Sequence, residues 1–324
     1  RSSLVTGVQT CALPIFLYWL WISTLLSRTF PSARRSVSKP KQSVRVFLPD
    51  RRIWSNNGTN TFNTNGNYWI CFVFHIMAQQ NGMTNLKSIL IEQINSNGPM
   101  PLSDYIQQCL FHPIYGYYLK EPVFGIDGDF TTAPEISQMF GELLALSILQ
   151  SWIDQGSPSK IILAELGPGR GTMMVDILRT LKNHPEFINA TEIHLIEASP
   201  NLRSVQKKTL SEFDVFWHNE FPSFEGKPLF LIANEFFDAL PIEQFLRQGN
   251  NFFRRTVQYL NNNFTYGLEK KPTINKVLKN RLRDTSDGDI VELNMAAAQI
   301  SKNIGNHINN FGGLAIFIDY GDWR

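Results

Sequence analysis

The stretch AELGPGRGTMMVDILRTL, residues 164–181, places Gly167, Gly169 and Gly171 at every second position between a strand-like run and a helix-like run. Such a turn lets the backbone approach a ligand closely, because glycine has no side chain and tolerates unusual backbone angles. Two ligands suit it: the pyrophosphate of a dinucleotide and the methionine end of S-adenosylmethionine. The rest of the chain has to distinguish a redox enzyme from a methyltransferase.

The glycine spacing favours the second ligand. A dinucleotide fingerprint needs its third glycine three residues after the second, and that position is Thr172 here. Glu165 ends the preceding strand and can accept a hydrogen bond from an ammonium group, which S-adenosylmethionine carries and NAD lacks. Glu197, in HLIEASP, can bind the ribose hydroxyls of either ligand. The simpler alternative is an ordinary tight turn with acids on a solvated edge.

The pattern around this turn predicts an α/β fold. Near-continuous apolar runs are typical of parallel strands covered by helices on both faces, and they occur at residues 160–166, 192–198, 214–218, 229–234 and 314–320. Helical spacing predicts one helix ending at Asn97, a second from about Ser103 to before His112, and a third over residues 135–156. Alternating runs within residues 252–269 predict an antiparallel hairpin around Asn261–Asn263.

Composition excludes several classes of protein. The chain has 324 residues, 43% of them apolar, enough for one large domain or two small ones. Residues 92–324 carry twenty Lys or Arg against twenty-seven acids, so we expect no nucleic-acid partner. Three scattered cysteines indicate neither a disulfide framework nor a cysteine zinc site. The apolar run at residues 14–26 is too short to span a bilayer, so we expect no membrane insertion.

The first 82 residues are expected to be a non-native or disordered leader. SLVTGVQTCALPI, residues 3–15, resembles a translated sequencing adapter, and residues 54–69 are rich in Asn, Thr and Gly. The Ser- and Arg-rich part, residues 27–46, is also compatible with a mitochondrial transit peptide. Readthrough from upstream is the interpretation that we prefer.

A second polar cluster follows the fourth predicted strand. Asn234, Glu235 and Asp238 lie in NEFFDALPIEQF, where ligands of open α/β sheets collect. Carboxylates there could orient a guanidinium group and accept its proton. The alternative is that Asn234 and Asp238 cap a following helix. His112 and His218 stand isolated in the sequence and are interpreted as structural, and no spacing indicates a metal site.

In this order, the motifs HPIYGYY, GDFTTAPEISQMFGE, ELGPGRGT, IEASPNLR, NEFFDALPIEQF and FIDYG closely resemble the MidA family of class I methyltransferases. Mitochondrial members of that family are arginine methyltransferases that assist assembly of respiratory complex I. The match covers residues 84–324. The chain stops soon after its fifth predicted strand, so we interpret it as a C-terminally truncated fragment.

The resemblance implies a Rossmann-like fold with helices on both faces of the sheet, a helical N-terminal addition over residues 83–157, and a methyltransferase domain over residues 158–324. It also implies an inserted β-hairpin region at about residues 244–290. S-adenosylmethionine would bind at Glu165, Gly167, Gly169, Gly171 and Glu197, beneath a covering segment that includes Asp129, Thr132, Pro134 and Glu135.

The same resemblance implies the reaction. Asp238 would be essential, with Glu235 and Asn234 beside it, and methyl would pass to a protein arginine guanidinium, of a complex I subunit in the mitochondrial case. A small-molecule acceptor and a non-catalytic assembly factor stay open as alternatives, and an NAD enzyme is the weakest. We expect the bacterial cytoplasm, with the mitochondrial matrix as the alternative.

Overall fold

The computed structural model describes residues 84–119, 132–224 and 226–319. Its helices are α1 (Thr84–Asn97), α2 (Leu102–Phe111), α3 (Ala133–Ile136), α4 (Gln138–Asp154), α5 (Thr172–Leu181), α6 (Pro185–Ala190), α7 (Pro200–Thr209), α8 (Lys276–Arg281) and α9 (Met295–Phe311), with a 3-10 turn at Tyr117–Leu119. Its strands are β1 (Met100–Pro101), β2 (Ile161–Leu166), β3 (Thr191–Ile196), β4 (Val215–His218), β5 (Leu229–Asn234), β6 (Glu243–Gln248), β7 (Asn251–Leu260), β8 (Asn263–Leu268), β9 (Ile290–Leu293) and β10 (Gly313–Ile318).

These elements form two compact units. Among the described residues, the first unit comprises 132–224, 226–234 and 304–318, and the second comprises 84–119, 235–303 and residue 319. The domain boundaries given above from the sequence stay a prediction.

The first unit is built on a parallel sheet with the strand order β10-β5-β2-β3-β4. Every neighbouring pair in it is parallel. The chain starts in the middle at β2, moves outward to β4 and returns to the other side of β2 with β5. Strand order therefore reverses between β2 and β5, and ligands of such sheets bind in the crevice at the carboxyl ends of the strands beside this point.

Apolar burial explains why this sheet forms. All six residues of β2 are buried, which agrees with its continuous apolar sequence and its central position. Helices α4 and α5 contribute to the same core, in which Ile148, Leu163, Ile177 and Ile232 are almost completely inaccessible to solvent. The five strands predicted from the sequence are confirmed, with ends that differ by at most two residues.

Two of the helix predictions need correction. The predicted helix over residues 135–156 is interrupted at Ser137, whose extended backbone ends α3 and whose Oγ accepts a hydrogen bond from the Met139 backbone N–H. Ser137 is thus the N-cap of α4. The predicted single helix is therefore two helices, α3 and α4, separated by Ser137. Helix α2 begins at Leu102 after Pro101, one residue earlier than predicted, without a side-chain cap.

The second unit contains an antiparallel sheet. Its path is β1-β7-β6-β9, and β8 pairs with β7. The predicted hairpin is confirmed as β7 and β8, which are joined by Asn261 and Asn262. Both asparagines have positive φ angles, 50° and 62°, as a two-residue type I′ turn requires. Strands β1, β6 and β9 were not predicted. In the described part of the chain, no helix has the length and apolar character needed to cross a membrane.

Candidate functional site

The glycine turn follows β2 directly, beside the point where the strand order reverses. Gly167, Gly169 and Gly171 have φ angles of 60°, 53° and 84°, which side-chain-bearing residues rarely adopt. The Gly167 backbone N–H donates to the Ile196 carbonyl at 3.0 Å, so the turn is fixed to the end of β3. Among the described residues, a Cβ built on Gly169 would meet no atom within 4 Å. The backbone at Gly169 is therefore open to a ligand.

Glu165 lies in β2, two residues before the turn, and is only 2% exposed. Its Oε2 has no hydrogen-bond partner among the described residues. Burial, and secondly the neighbouring charge of Glu197, raise the pKa of the Glu165 carboxyl from 4.5 to about 8. A buried carboxyl oxygen without a partner is costly. A ligand that brought a cation or a donor to this point would remove that cost.

Glu197 follows β3 directly and is held by the start of α7. Its Oε1 accepts the Ser199 backbone N–H at 2.8 Å, and its Oε2 accepts the Gln206 Nε2 at 3.3 Å. The Glu197 backbone N–H donates to the His218 carbonyl at 2.9 Å. Burial raises the pKa of this carboxyl, and the hydrogen bonds from Ser199 and Gln206 oppose that rise. The two acids thus stand at the carboxyl ends of neighbouring strands, as the sequence predicted.

The end of the predicted covering segment contacts the glycine turn. Glu135 accepts a hydrogen bond from the Thr172 hydroxyl at 2.8 Å and forms an ion pair with Arg170 at 3.6 Å. Thr132 precedes α3 as its N-cap, and Pro134 lies in the first turn of that helix. Asp129 lies outside the described residues. Glu135 therefore connects α3 to both residues that flank Gly171.

Asn234, Glu235 and Asp238 follow one another where β5 ends. Asn234 is the last residue of β5, and its Oδ1 is buried without a hydrogen-bond partner in the described chain. Glu235 has a φ of 50°, an unusual value for a residue with a side chain. No helix follows, because residues 235–242 form turns that lead into β6. The alternative that Asn234 and Asp238 cap a helix is therefore wrong.

The loop that carries Asp238 is fixed by two residues that the sequence reasoning missed. The Asp238 backbone N–H donates to Asp319 Oδ2 at 3.2 Å, directly after β10. The Asn294 amide donates to the Phe237 carbonyl at 3.3 Å and to that of Leu240 at 3.5 Å. Asp319 belongs to the quoted FIDYG motif, which was a usable signal. Asn294 could not be recognised from the sequence as a residue that holds this loop. Its Oδ1 also accepts the Ala297 N–H and so caps α9, and capping alone explains an asparagine before a helix.

The histidines contribute to structure. His112 Nδ1 accepts backbone N–H groups of Ile114 and Tyr115, both at 3.2 Å. His218 is not isolated, contrary to the sequence interpretation, because its Nε2 lies 2.9 Å from His194 Nδ1. Burial, followed by the charge of His218, lowers the pKa of His194 to about 4. In the described part of the chain, no group of three or more His, Cys, Asp or Glu could hold a metal ion.

The strand order, the open glycine turn and the acids ending β2 and β3 define a class: Rossmann-like proteins that bind a nucleoside-containing cofactor. A family model described as "Putative S-adenosyl-L-methionine-dependent methyltransferase" matches residues 143–324. The chain belongs to this family, which confirms the resemblance to MidA proteins. The predicted cofactor, S-adenosylmethionine, is confirmed as that of the family.

Known proteins are similar over most of this chain. A protein arginine methyltransferase NDUFAF7, mitochondrial, of Xenopus tropicalis is 34% identical over 72% of this chain and 60% of its own length. A homologue in Drosophila melanogaster is 30% identical over 75% of this chain and 61% of its length. A crystal structure from Burkholderia thailandensis, bound to S-adenosyl-homocysteine, is 27% identical with a TM-score of 0.60, over 73% of this chain and 62% of that one. The chain thus spans about 60% of its curated relatives.

Proposed function

We propose that this chain carries the cofactor site and the acceptor site of a methyltransferase that modifies a protein arginine. The observation that carries the proposal is the buried Glu165 carboxyl, whose Oε2 has no partner in the described chain, two residues before a glycine turn with open backbone. An ammonium group is the natural partner for such an oxygen. S-adenosylmethionine has one, and NAD does not.

The residues present suit each part of this cofactor. Glu165 would accept the ammonium group, and the turn from Gly167 to Gly171 would lie along the methionine chain. Glu197, whose carboxylate is already oriented by two donors, would accept the ribose hydroxyls. When bound, the cofactor supplies an electrophilic methyl group on a sulfonium and leaves as S-adenosylhomocysteine.

The acceptor would be oriented by the loop after β5. Asp238, with Glu235 beside it in sequence, would form charge-assisted bonds to an arginine guanidinium, and the Asn234 amide would add a neutral contact. As the methyl group arrives on a guanidinium nitrogen, that nitrogen gives up one proton to the Asp238 carboxylate. The protein thus aligns the nucleophile and takes its proton, and the leaving group needs no further help.

The acceptor protein and the compartment belong to the same proposal. Arginine is proposed because the similar NDUFAF7 proteins of Xenopus tropicalis and Drosophila melanogaster are named protein arginine methyltransferases. Those relatives are also named mitochondrial, which favours the mitochondrial matrix and, through the MidA resemblance, a complex I subunit. The sequence alone led us to expect the bacterial cytoplasm, and in that compartment the acceptor would be a bacterial protein.

The test is transfer of a labelled methyl group. The full chain is incubated with methyl-labelled S-adenosylmethionine and arginine-containing peptides, and methylarginine is identified by mass spectrometry. We expect methylarginine and S-adenosylhomocysteine in equal amounts, and a loss of about 100-fold or more in Asp238→Asn with unchanged S-adenosylhomocysteine binding. Label on a small molecule instead would contradict the arginine assignment. Cofactor binding without any transfer would favour a non-catalytic assembly factor.

A further inference from the structure

Gln206 is a completely buried polar residue of α7 that contacts both halves of the cofactor site. Its Nε2 donates to the Gly169 carbonyl at 2.7 Å and to Glu197 Oε2 at 3.3 Å. Its Oε1 accepts the indole N–H of Trp217 in β4 at 3.0 Å. One amide group therefore joins the glycine turn after β2, the acid after β3 and the side chain of a third strand.

The chemistry of the three partners fixes the orientation of this amide. The Trp217 indole can only donate a hydrogen bond, so it requires the oxygen of the amide. The Gly169 carbonyl and the Glu197 carboxylate can only accept, so they require the nitrogen. Reversing the amide would break all three bonds inside a buried site, where each unsatisfied group is costly. Gln206 is thus held in one arrangement.

Gly171 lies directly against the helix that carries Gln206. A Cβ on Gly171 would lie 3.6 Å from Gln206 Cγ and 3.4 Å from Leu210 Cδ1, which are ordinary van der Waals distances. The φ of 84° is what favours glycine at this position. The end of the turn and α7 are therefore in contact, which brings Gln206 close to the Gly169 carbonyl.

We propose that Gln206 is a positioning residue that holds the Glu197 carboxylate at a fixed distance from the Gly169 backbone and thereby sets the ribose-binding geometry of the cofactor site. The inference rests on the proposed function, because it takes Glu197 as the ribose ligand. Gln206 acts through Glu197 and Gly169 and needs no contact with the cofactor. Trp217 is the residue that keeps the amide correctly oriented.

The experiment compares two ligands on the full chain: S-adenosylhomocysteine and its 2′-deoxyribose analogue. The ratio of their affinities reports the contact between Glu197 and the ribose. In Gln206→Met, which keeps the side-chain length and removes the hydrogen bonds, we expect S-adenosylhomocysteine affinity to fall about 10- to 100-fold. The affinity ratio should fall toward one. Trp217→Phe should lower the ratio less, because both Nε2 donors remain.

A purely structural role would give a different result. It would lower the melting temperature of Gln206→Met and leave the affinity ratio of the two ligands as in the wild type, and this would overturn the inference. Glu197→Gln should already have a ratio near one, and adding Gln206→Met should not lower the ratio further. If Gln206→Met does not fold, an unchanged ratio in Trp217→Phe overturns the inference in its place.

Gln244 provides the matched control. It is also a buried glutamine with two side-chain partners, since its Nε2 donates to Glu292 at 2.6 Å and its Oε1 accepts from Arg255 at 2.8 Å. It belongs to the antiparallel sheet, so Gln244→Met should lower stability and leave the ratio unchanged. If the wild-type chain binds no S-adenosylhomocysteine, the proposed function fails. If it binds and Gln206→Met retains the ratio, only the inference fails.

Discussion

Two turns of this molecule contain positive φ angles for different purposes. The turn from Gly167 to Gly171 has them at every second residue, and the hairpin turn has them at the consecutive residues Asn261 and Asn262. The hairpin turn is exposed, and the residues on either side of it are exposed as well. The glycine turn follows a buried strand whose Glu165 carboxyl has an oxygen without a partner in the described chain.

Positive φ angles alone therefore do not mark a ligand site. In the hairpin, positive φ angles match the twist of two antiparallel strands, which is a sufficient structural reason for them. The glycine turn does not have this particular reason, because it joins a strand to a helix and not two antiparallel strands. Open backbone together with a buried, unsatisfied acid is what distinguishes the two turns.

The largest expected effect comes from filling the open space at Gly169. Gly169→Val should reduce S-adenosylhomocysteine affinity by about 100-fold or more, because the side chain takes the space of the ligand and adds the strain of a positive φ. Calorimetric titration measures it. Gly156→Val is the matched control, since Gly156 has a φ of 84° and a Cβ there also meets no atom of the described chain within 4 Å. Equal losses in both variants would mean that strain alone explains the effect.

Removing the ionisable carboxyl of Glu165 should have the next largest effect. Glu165→Gln keeps the size of the side chain but cannot pair with an ammonium group as a carboxylate does, so we expect affinity to fall about 10- to 100-fold. Asp176→Asn is the control, because Asp176 is also buried with a partnerless oxygen, Oδ2, among the described residues, and its pKa is also raised by burial. Retained affinity in Glu165→Gln would remove the distinction between the two turns.

The raised pKa of Glu165 also predicts a pH-dependent effect on stability. Between pH 4.5 and about 8 the folded chain holds a proton on Glu165 that the unfolded chain has released. The free energy of unfolding should therefore decrease as pH rises through this window, by at most about 1.4 kcal/mol per pH unit from this group. Urea unfolding of the wild type and Glu165→Gln at several pH values isolates the contribution of Glu165 to the free energy of unfolding. A difference in this free energy between the two proteins that stayed constant with pH would contradict the prediction.

The smallest effect is expected at the hairpin. Asn-Gly is the preferred pair for a type I′ turn, so Asn262→Gly should stabilise the chain by about 0.5 kcal/mol. Thermal unfolding measures this gain, and titration of the same variant with S-adenosylhomocysteine should give the wild-type affinity. A changed affinity would show that the hairpin turn has more than a structural role.

Local patterns predicted much of the fold. Continuous apolar runs located β2, β3, β4, β5 and β10. Burial on both faces explains these runs in β2 and β5, whereas the edge strands β4 and β10 are only partly buried. Alternation around two asparagines located the β7–β8 hairpin. Strand β6 and the short strand β9 lack a strong alternating pattern, so they were not predicted. β6 pairs with both β7 and β9, and these pairings are not visible in the sequence. The break at Ser137 was hidden because apolar periodicity continues on both sides of the cap.

Sequence reasoning proposed site residues where an acid stands at the end of a predicted strand, as with Glu165 and Glu197, and their roles stay predictions. The residues that hold these groups were missed. Gln206 lies on a polar helical stretch and becomes informative only when its contacts with Gly169, Glu197 and Trp217 are known. A residue whose role depends on contacts with three residues distant in the sequence cannot be recognised from one sequence alone.

The most direct test of the cofactor assignment is calorimetric titration of one folded preparation of the full chain with S-adenosylhomocysteine and with NAD. We expect saturable binding of S-adenosylhomocysteine, loss of that binding in Gly169→Val, and no binding of NAD. Binding of NAD would contradict the assignment of the glycine turn to S-adenosylmethionine. A folded preparation that bound neither ligand would contradict it equally, because the glycine turn and Glu165 would then hold no cofactor of this kind.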